Sequence, residues 1–242
     1  MRKSIAAALI AASAATAACN QHRMESGGPT VSRNYEVGNF QQIEVGGPYE
    51  VQVTTGANAS VSARGPQNLL AHTIVEVKDG KLQIRPEHRG GMFRFGNSTN
   101  GTARFTVTVP QLSGADIAGS GDLSIDHVRG DSFEGNVAGS GGLQLGSVDV
   151  KTLHLSIGGS GNLKAASGSA QSAEYSIGGS GDIDAGGVTA QQAKASIAGS
   201  GSITARATAT ADVNIMGSGD VAVTGGAKCN VSKMGSGSAN CS

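Results

Sequence analysis

The chain has 242 residues, with 18 basic and 18 acidic side chains, three Tyr, five Phe and no Trp. Balanced charge gives no basic surface of the kind that binds nucleic acid or anionic lipid, so we expect no nucleic-acid partner. After the N-terminus, no apolar run approaches the roughly 20 residues that a membrane-spanning helix requires.

Residues 1–19 have the form of an export signal, with a basic start, a short apolar stretch and small residues before the cut. Residues 16–19 (Thr-Ala-Ala-Cys) resemble a bacterial lipobox, in which the cysteine becomes the lipid-bearing first residue of the mature protein. We therefore expect lipidation of Cys19 and a lipid anchor in the cell envelope. Because Thr16 stands where Leu is usual, ordinary cleavage after Ala17 and plain secretion are the alternative.

Residues 20–30 are predicted to form a polar tether, because they contain Gly and Pro and no periodic apolar residues. From residue 31 to residue 112, short runs of alternating apolar and polar residues predict strands with turns between them. A helical turn or two can form over residues 66–72.

The strands run into the following repeats without a visible linker. We therefore predict a single domain over residues 31–242, with irregular first rungs over 31–112 and regular repeats over 113–242. Two separate domains are the alternative. Residues 86–101 differ in character, because they mix Arg, Met and Phe between glycines. They form either a contact patch on a loop or an insertion whose Phe side chains fold back onto the sheet.

The C-terminal half repeats a Gly-Ser-Gly triplet at steps of 20, 20, 20, 20, 18 and 18 residues. A fixed period in this range is typical of stacked repeats, in which each unit buries its apolar face only against its neighbours. The triplet itself predicts a tight corner. The triplets begin at Gly119, Gly139, Gly159, Gly179, Gly199, Gly217 and Gly235.

Two apolar columns appear when the repeats are aligned on the triplet, two residues before and four residues after its first glycine. A further, mostly apolar column lies four residues before that glycine, and the position between it and the first column is polar or small, as in a strand with one buried face. We predict an all-β, parallel β-helix-like solenoid with rungs of about 20 residues. Only the last repeat departs, with Lys233 and Ala239. The columns are Ile117, Val137, Ile157, Ile177, Ile197 and Ile215, and Leu123, Leu143, Leu163, Ile183, Ile203 and Val221.

Two further columns, six residues before and six after the triplet, thin along the chain from Phe133 and Ile125 to alanines. If both columns face the core, the cross-section of the solenoid narrows toward the C-terminus. We predict this taper.

Several segments together resemble the auto-transporter adhesin head (head GIN) domain family of bacterial envelope proteins, over about residues 31–225. The resemblance implies a right-handed, single-stranded β-helix-like fold in exported proteins that are often lipoproteins. The adhesin label of the family favours a binding role. The segments are Phe40-Gln-Gln-Ile-Glu-Val45, Tyr49-Glu-Val-Gln-Val53, Leu82-Gln-Ile84, Phe105-Thr-Val-Thr-Val-Pro-Gln-Leu112 and Ile117-Ala-Gly-Ser-Gly-Asp-Leu123.

Cys229 and Cys241 lie six residues before and six after Gly235, in the two thinning columns of the last rung. In an exported chain whose third cysteine is assigned to lipid, we predict a disulfide that caps the open end. Two buried free thiols are the alternative.

Metal and cofactor sites are not predicted. The position after each triplet is acidic in three of seven repeats and never in adjacent ones, which does not suit the six or more oxygen ligands of calcium. The histidines show no ligand spacing, and the triplet lacks the Lys of a phosphate loop. The residues concerned are Asp122, Asp182 and Asp220, and His22, His72, His88, His127 and His154.

The alternative to a binding role is a carbohydrate-active enzyme, a glycoside hydrolase or lyase, which needs paired carboxylates on one face. The densest group of candidates falls in different columns, so solvated charges at turns are the preferred interpretation. It consists of Asp116, Asp122, Asp126, His127, Arg129, Asp131 and Glu134.

We therefore expect a non-catalytic envelope lipoprotein that acts as an adhesin-like or structural binding module. Small polar columns on a flat sheet face suit contact with a glycan or an envelope protein. A self-associating scaffold that uses the open ends of the coil is a third possibility. The sequence does not give the oligomeric state.

Overall fold

A computed structural model of the chain describes residues 28–56, 58–87 and 101–242. The export signal with Cys19, the tether up to residue 27 and residues 88–100 of the loop lie outside the described residues. Within the described ranges, no helix is long and apolar enough to cross a membrane.

Almost all of the described chain is β-structure, so the all-β prediction is confirmed. The helix α1 spans Gln67–Ala71. The strands are β1 Thr30–Tyr35, β2 Gln42–Gly46, β3 Glu50–Thr55, β4 Ser60–Pro66, β5 Thr73–Lys78, β6 Lys81–Pro86, β7 Arg104–Val109, β8 Gly114–Gly119, β9 Asp122–Gly139, β10 Gly142–Gly159, β11 Asn162–Ala165, β12 Gly168–Gly179, β13 Asp182–Gly199, β14 Ser202–Gly217, β15 Asp220–Thr224, β16 Lys228–Gly235 and β17 Ser238–Cys241.

From β8 onward the strands pair in parallel, each with the strand one rung later. Leu123 pairs with Leu143 and Val137 pairs with Ile157, at the predicted step of 20 residues. The step falls to 18 from β14 to β16, where Ile215 pairs with Lys233. Because every repeat lies directly over the previous one, the chain forms the predicted parallel solenoid.

Each rung has three sides, which the burial pattern of β10 shows. Buried and outward residues alternate over 142–145, 148–150 and 153–157, and two consecutive outward residues break the alternation at 146–147 and at 151–152. We call the equivalent stretches of every rung side 1, side 2 and side 3, in chain order. The Gly-Ser-Gly triplet closes the corner from side 3 back to side 1.

The triplet corner depends on its first glycine. Gly159 has a φ of +133°, and a Cβ there would collide with the carbonyl oxygen of Gly139 in the rung before. That oxygen accepts a hydrogen bond from the backbone N–H of Ser160 at 2.9 Å. A side chain at this position would therefore separate two rungs, which explains the glycine in every repeat.

The column of Ile and Val two residues before the triplet is buried from Ile117 to Ile215, with at most 2% of each residue exposed. Both thinning columns also face the core. Tyr175, which is fully buried, lies in the rung where both columns have become alanine, at Ala165 and Ala173. A large side chain therefore occupies the core beside two small ones, and burial raises the pKa of its hydroxyl.

Residues 31–112 differ from simple irregular rungs, because part of their pairing is antiparallel. β1 pairs with β4, β4 with β7 and β5 with β6 in antiparallel fashion. Asp79 and Gly80 join β5 to β6 and both have positive φ, as a two-residue hairpin turn requires. Aromatic rings fill the core here, with Tyr49 edge-on to Phe105 at 5.4 Å between ring centroids.

This N-terminal part continues directly into the repeats. β2 pairs in parallel with β8, and β3 pairs in parallel with β9. All seventeen strands of the described residues therefore belong to one sheet. The division into a single domain over residues 31–242 stays a prediction.

The last rung, β16 and β17, departs from the pattern. Lys233 and Ala239 stand in the two apolar columns, and a disulfide joins Cys229 to Cys241. Both cysteines continue core-facing columns, since Cys229 pairs with Ala211 and Cys241 with Val223. The bridge therefore lies across the end of the core. Among the described residues, the exposed large hydrophobic side chains are Met216, Val231 and Met234, all in the last two rungs.

Candidate functional site

A shallow trough of about 380 Å³ lies on side 1, where the N-terminal part meets the first repeats. Its polar lining comes from four strands that pair side by side. β3 supplies Gln52 and Thr54, β9 supplies Ser124 and Asp126, and β10 and β11 supply Gln144 and Lys164. Gly146 and Ala166 form the low part of the trough, at the corner between sides 1 and 2. Neither residue carries a side chain longer than a methyl group there.

The strand register places the polar side chains of the trough in one row across neighbouring strands, which we call the ladder. Gln52 pairs with Ser124, Ser124 with Gln144 and Gln144 with Lys164. Their buried neighbours along each strand, such as Val53, Ile125 and Leu145, hold the polar residues outward. The ladder therefore has one polar group for each strand, at a spacing of about 4.8 Å.

The charged groups of the trough already have partners within the protein. Both carboxylate oxygens of Asp126 accept the backbone N–H of Thr55, at 3.0 and 3.2 Å, and Oδ1 also accepts the Thr55 hydroxyl. The Lys164 Nζ lies 2.9 Å from Asp184 Oδ2, and this contact lowers the pKa of Asp184. Lys164 and Asp184 therefore form an ion pair, whereas Asp126 keeps its negative charge, because both of its donors are neutral.

The remaining polar groups of the trough are neutral and have no partner in the described structure. They are the amides of Gln52 and Gln144 and the hydroxyls of Thr54 and Ser124. Each of these groups can both donate and accept a hydrogen bond. The trough therefore offers neutral groups that both donate and accept hydrogen bonds, set among carbon surface that makes up most of its lining.

A second groove, of about 430 Å³, lies on side 3. Here the ladder is charged: Glu134, His154, Glu174 and Lys194 follow one another in register. The Lys194 Nζ lies 2.7 Å and the His154 Nδ1 3.4 Å from the Glu174 carboxylate. Lys194 is the main cause of a lowered pKa for Glu174. These contacts lie between neighbouring rungs, so they tie rungs together.

Glu134 and Glu174 are two rungs apart in this groove, or about 10 Å at the usual strand spacing. That separation lies close to the upper limit, about 9.5 Å, for paired catalytic carboxylates in inverting glycosidases. A general acid in such a pair needs a raised pKa, whereas Lys194 lowers that of Glu174. The Glu134 carboxylate accepts a hydrogen bond from Asn136 at 3.0 Å. The pair therefore has the chemistry of a structural ladder.

The seven acidic and basic residues that the sequence marked as candidate catalytic groups do not form one cluster. Asp122 belongs to side 1 and Asp126 to the corner between sides 1 and 2, whereas Arg129 lies on side 2 and Asp131 at the corner after it. Only Asp116 and Glu134 come together, on side 3, because Asn136 donates to both carboxylates. His127 contributes its backbone carbonyl, which accepts the Thr55 hydroxyl.

The described residues contain no group of three or more His, Cys, Asp or Glu side chains that could hold a metal ion. The acidic residues after the triplets are instead used between rungs. Asp182 accepts hydrogen bonds from the backbone and hydroxyl of Ser202, and Asp220 does the same with Ser238. Of the predicted site residues, Cys229 and Cys241 form the disulfide described above, and Cys19 lies outside the described residues.

Sequence reasoning did not find the trough. Its polar residues come from β3 and from three later rungs, and only the pairing of β3 with β9 brings them together. One signal was present: the position seven residues after the first glycine of the triplet is small in three successive repeats, at Gly146, Ala166 and Gly186.

Comparisons with known proteins agree with this architecture. The family model for "Putative auto-transporter adhesin, head GIN domain" matches residues 39–227. The chain belongs to this family. No curated protein matches the sequence.

Solved structures of similar proteins share the fold. A putative adhesin from Bacteroides fragilis is 27% identical, with a TM-score of 0.78 over 88% of this chain and 97% of its own. A putative lipid binding protein from Parabacteroides distasonis is 26% identical, with a TM-score of 0.68 over 90% of this chain and 98% of its own. A putative adhesin from Parabacteroides merdae, 19% identical, has a TM-score of 0.70 over 90% and 98%. The last of these likenesses concerns the fold alone.

Proposed function

We propose that the protein is a non-catalytic, adhesin-like binding module of the bacterial cell envelope, carried there by a lipid on Cys19. Membership of the head GIN domain family supports the adhesin-like part of this proposal. The partner is a glycan or an envelope protein that contacts a side of the solenoid. No step of this role requires a cofactor.

The observation that carries the proposal is the register of the rungs. Successive rungs place the same type of outward side chain at the same position, as with Asn136, Ser156 and Ser176 on side 3. Beneath side 3, a buried column that includes Val137, Ile157 and Ile177 holds these polar residues in place. Such a body presents a flat polar surface without losing order on binding, which suits a contact module.

The carboxylate spacing on side 3 is the one observation that favours a carbohydrate-active enzyme. A lowered pKa for Glu174 favours binding or structural work over acid catalysis.

A binding screen tests the proposal. The full chain with Cys19→Ser, made without its lipid, is applied to arrays of oligosaccharides and to solubilised envelope proteins. We expect saturable binding to at least one partner and no change in the chemical structure of the glycans after incubation. Cleavage of a glycan, or binding to none of the partners, would contradict the proposal.

Fatty-acid labelling in a bacterial host tests the anchor. We expect label on the wild-type chain and none on Cys19→Ala. An equally labelled Cys19→Ala chain, or an unlabelled wild type, would exclude lipidation at Cys19.

A further inference from the structure

The geometry points to the trough on side 1 as the binding site of a linear, uncharged glycan, whose sugar rings lie one per strand along the ladder Gln52–Ser124–Gln144–Lys164. This inference rests on the binding function proposed above and names the ligand class and the residues of contact.

The charges of the trough disfavour an acidic ligand. Asp126 keeps its negative charge, because its donors on Thr55 are neutral, and Lys164 is already paired with Asp184. Gln52, Thr54, Ser124 and Gln144 have no such partner in the described structure. A sugar hydroxyl, which donates and accepts like these groups, is the matching ligand chemistry.

The spacing of the ladder favours a glycan over a peptide. Three strand-to-strand steps span about 14 Å at about 4.8 Å a step. A sugar ring in a linear chain is about as long as one step, so each successive ring lies beside one member of the ladder. An extended peptide presents side chains on one face at intervals of about 6.8 Å, twice its rise per residue, and would lose register with the ladder.

The shape of the trough supplies the third argument. Gly146 and Ala166 leave the low part open beside the ladder. A Cβ at Gly146 would approach the carbonyl oxygen of Asp126, so that glycine is also needed for the backbone. Ala166 is exposed, so its small side chain is not required for packing. The trough has no aromatic ring, and we expect weak binding per site that many anchored copies strengthen together.

Two substitutions test the site in the full chain with Cys19→Ser. Ala166→Leu fills the low part, and Gln144→Ala removes one amide of the ladder. The matched controls are Ala138→Leu on side 3 and Gln192→Ala at the corner between sides 2 and 3, which make the same changes at exposed positions away from the trough. Cellohexaose, maltohexaose and chitohexaose serve as neutral probes, and hexagalacturonate serves as the acidic probe.

We expect at least one neutral probe to bind more tightly than the acidic probe. Gln144→Ala should weaken that binding roughly five-fold, as for the loss of one neutral hydrogen bond. Ala166→Leu should weaken it more strongly. Both controls should bind like the wild type, and all four variants should keep its thermal unfolding midpoint.

The other outcomes separate this inference from the proposed function. If a neutral glycan binds but Ala166→Leu and Gln144→Ala have no effect, the trough is not the site, although the binding function stands. If only the acidic probe or an envelope protein binds, the ligand class is wrong. If neither glycans nor envelope proteins bind, the proposed function fails together with this inference.

Discussion

A middle rung and the last rung of the solenoid differ at the same column position, which is apolar and buried in the first and charged and exposed in the second. In β10, Ile157 is buried in the core column, two residues before the triplet corner at Gly159. In β16, Lys233 occupies that same column and is exposed. A middle rung has a neighbour on both faces, whereas β16 pairs only with β14 in the described structure. The comparison shows that this column holds an apolar residue where rungs lie on both faces of the strand, and a charged residue where one face has no neighbouring rung.

The last rung has other means of holding the end of the coil. Its disulfide joins β16 to β17 across the end of the core. A lysine in the apolar column discourages another chain from adding a strand to the open edge. We interpret β16 and β17 as a cap, and the following changes test the difference between a covered rung and a cap.

The largest effect is expected when the cap residue is placed in a middle rung. Ile157→Lys buries an unpaired ammonium in an aliphatic core, which should cost more than about 4 kcal/mol of the free energy of unfolding. Urea unfolding followed by circular dichroism measures this loss. The exposed change Ser160→Lys is the control and should be nearly neutral. A loss below about 1 kcal/mol for Ile157→Lys would mean that this column is not core.

A methyl group at the triplet corner should have the next largest effect. Gly159→Ala forces a side chain into a positive-φ position against the rung before it, and should cost about 3 kcal/mol. Gly158→Ala is the matched control, because a Cβ there meets nothing within 4 Å. Both are measured by thermal unfolding. Equal midpoints for the two variants would contradict the corner geometry.

Removing the disulfide should be felt in the cap first. The bridge joins residues 12 apart in sequence, so its loss in Cys229→Ala with Cys241→Ala should cost about 3 kcal/mol by loop entropy. Hydrogen exchange should show faster opening of β16 and β17 than of β10. Uniform protection along the whole chain would show that the bridge does not act locally.

Replacing the lysine of the cap with the isoleucine of a middle rung should change self-association of the protein more than its free energy of unfolding. Lys233→Ile restores the apolar column on the open edge, so we expect stronger concentration-dependent association than in the wild type. Lys151→Ile, at an exposed corner, is the control for added surface hydrophobicity. Light scattering over a range of protein concentrations measures the difference. Association that is equal in the two variants would remove the capping role of Lys233.

The smallest effect concerns the charged ladder between middle rungs. Lys194 lowers the folded-state pKa of Glu174, so this carboxylate stabilises the fold above its unfolded pKa, and the contribution is lost as the pH falls through the lowered folded pKa. The wild type should therefore lose slightly more stability than Glu174→Gln when the pH falls below about 4.3. Thermal midpoints between pH 6 and pH 3 provide the comparison. Parallel curves would mean that the ion pair contributes nothing measurable.

The repeats could be predicted closely because each rung repeats one pattern. Ile157 and its counterparts fix the core column, and the triplet fixes the corner, so the solenoid prediction and the family resemblance are confirmed. Antiparallel pairing in the N-terminal part was missed, although Asp79 and Gly80 are turn residues. Local turn chemistry does not say which distant strand β4 will meet.

The candidate site was less accessible to sequence reasoning than the fold. Gln52 and Ser124 are 72 residues apart and become neighbours only through the pairing of β3 with β9. The charged residues between Asp116 and Glu134 drew attention by their density in sequence, yet the chain turns three corners over that length. In a solenoid, charged residues that are close together in sequence can therefore lie on different sides of the coil.

The register of the rungs is the central claim and can be measured as a distance. Spin labels at Asn136→Cys and Ser232→Cys, in the full chain with Cys19→Ser and its disulfide intact, lie in one column of side 3 five rungs apart. Pulsed dipolar spectroscopy should give a narrow distribution near 24 Å, at about 4.8 Å a rung. A broad distribution, or a distance well beyond 35 Å, would contradict the in-register stack on which the cap, the trough and the proposed function all depend.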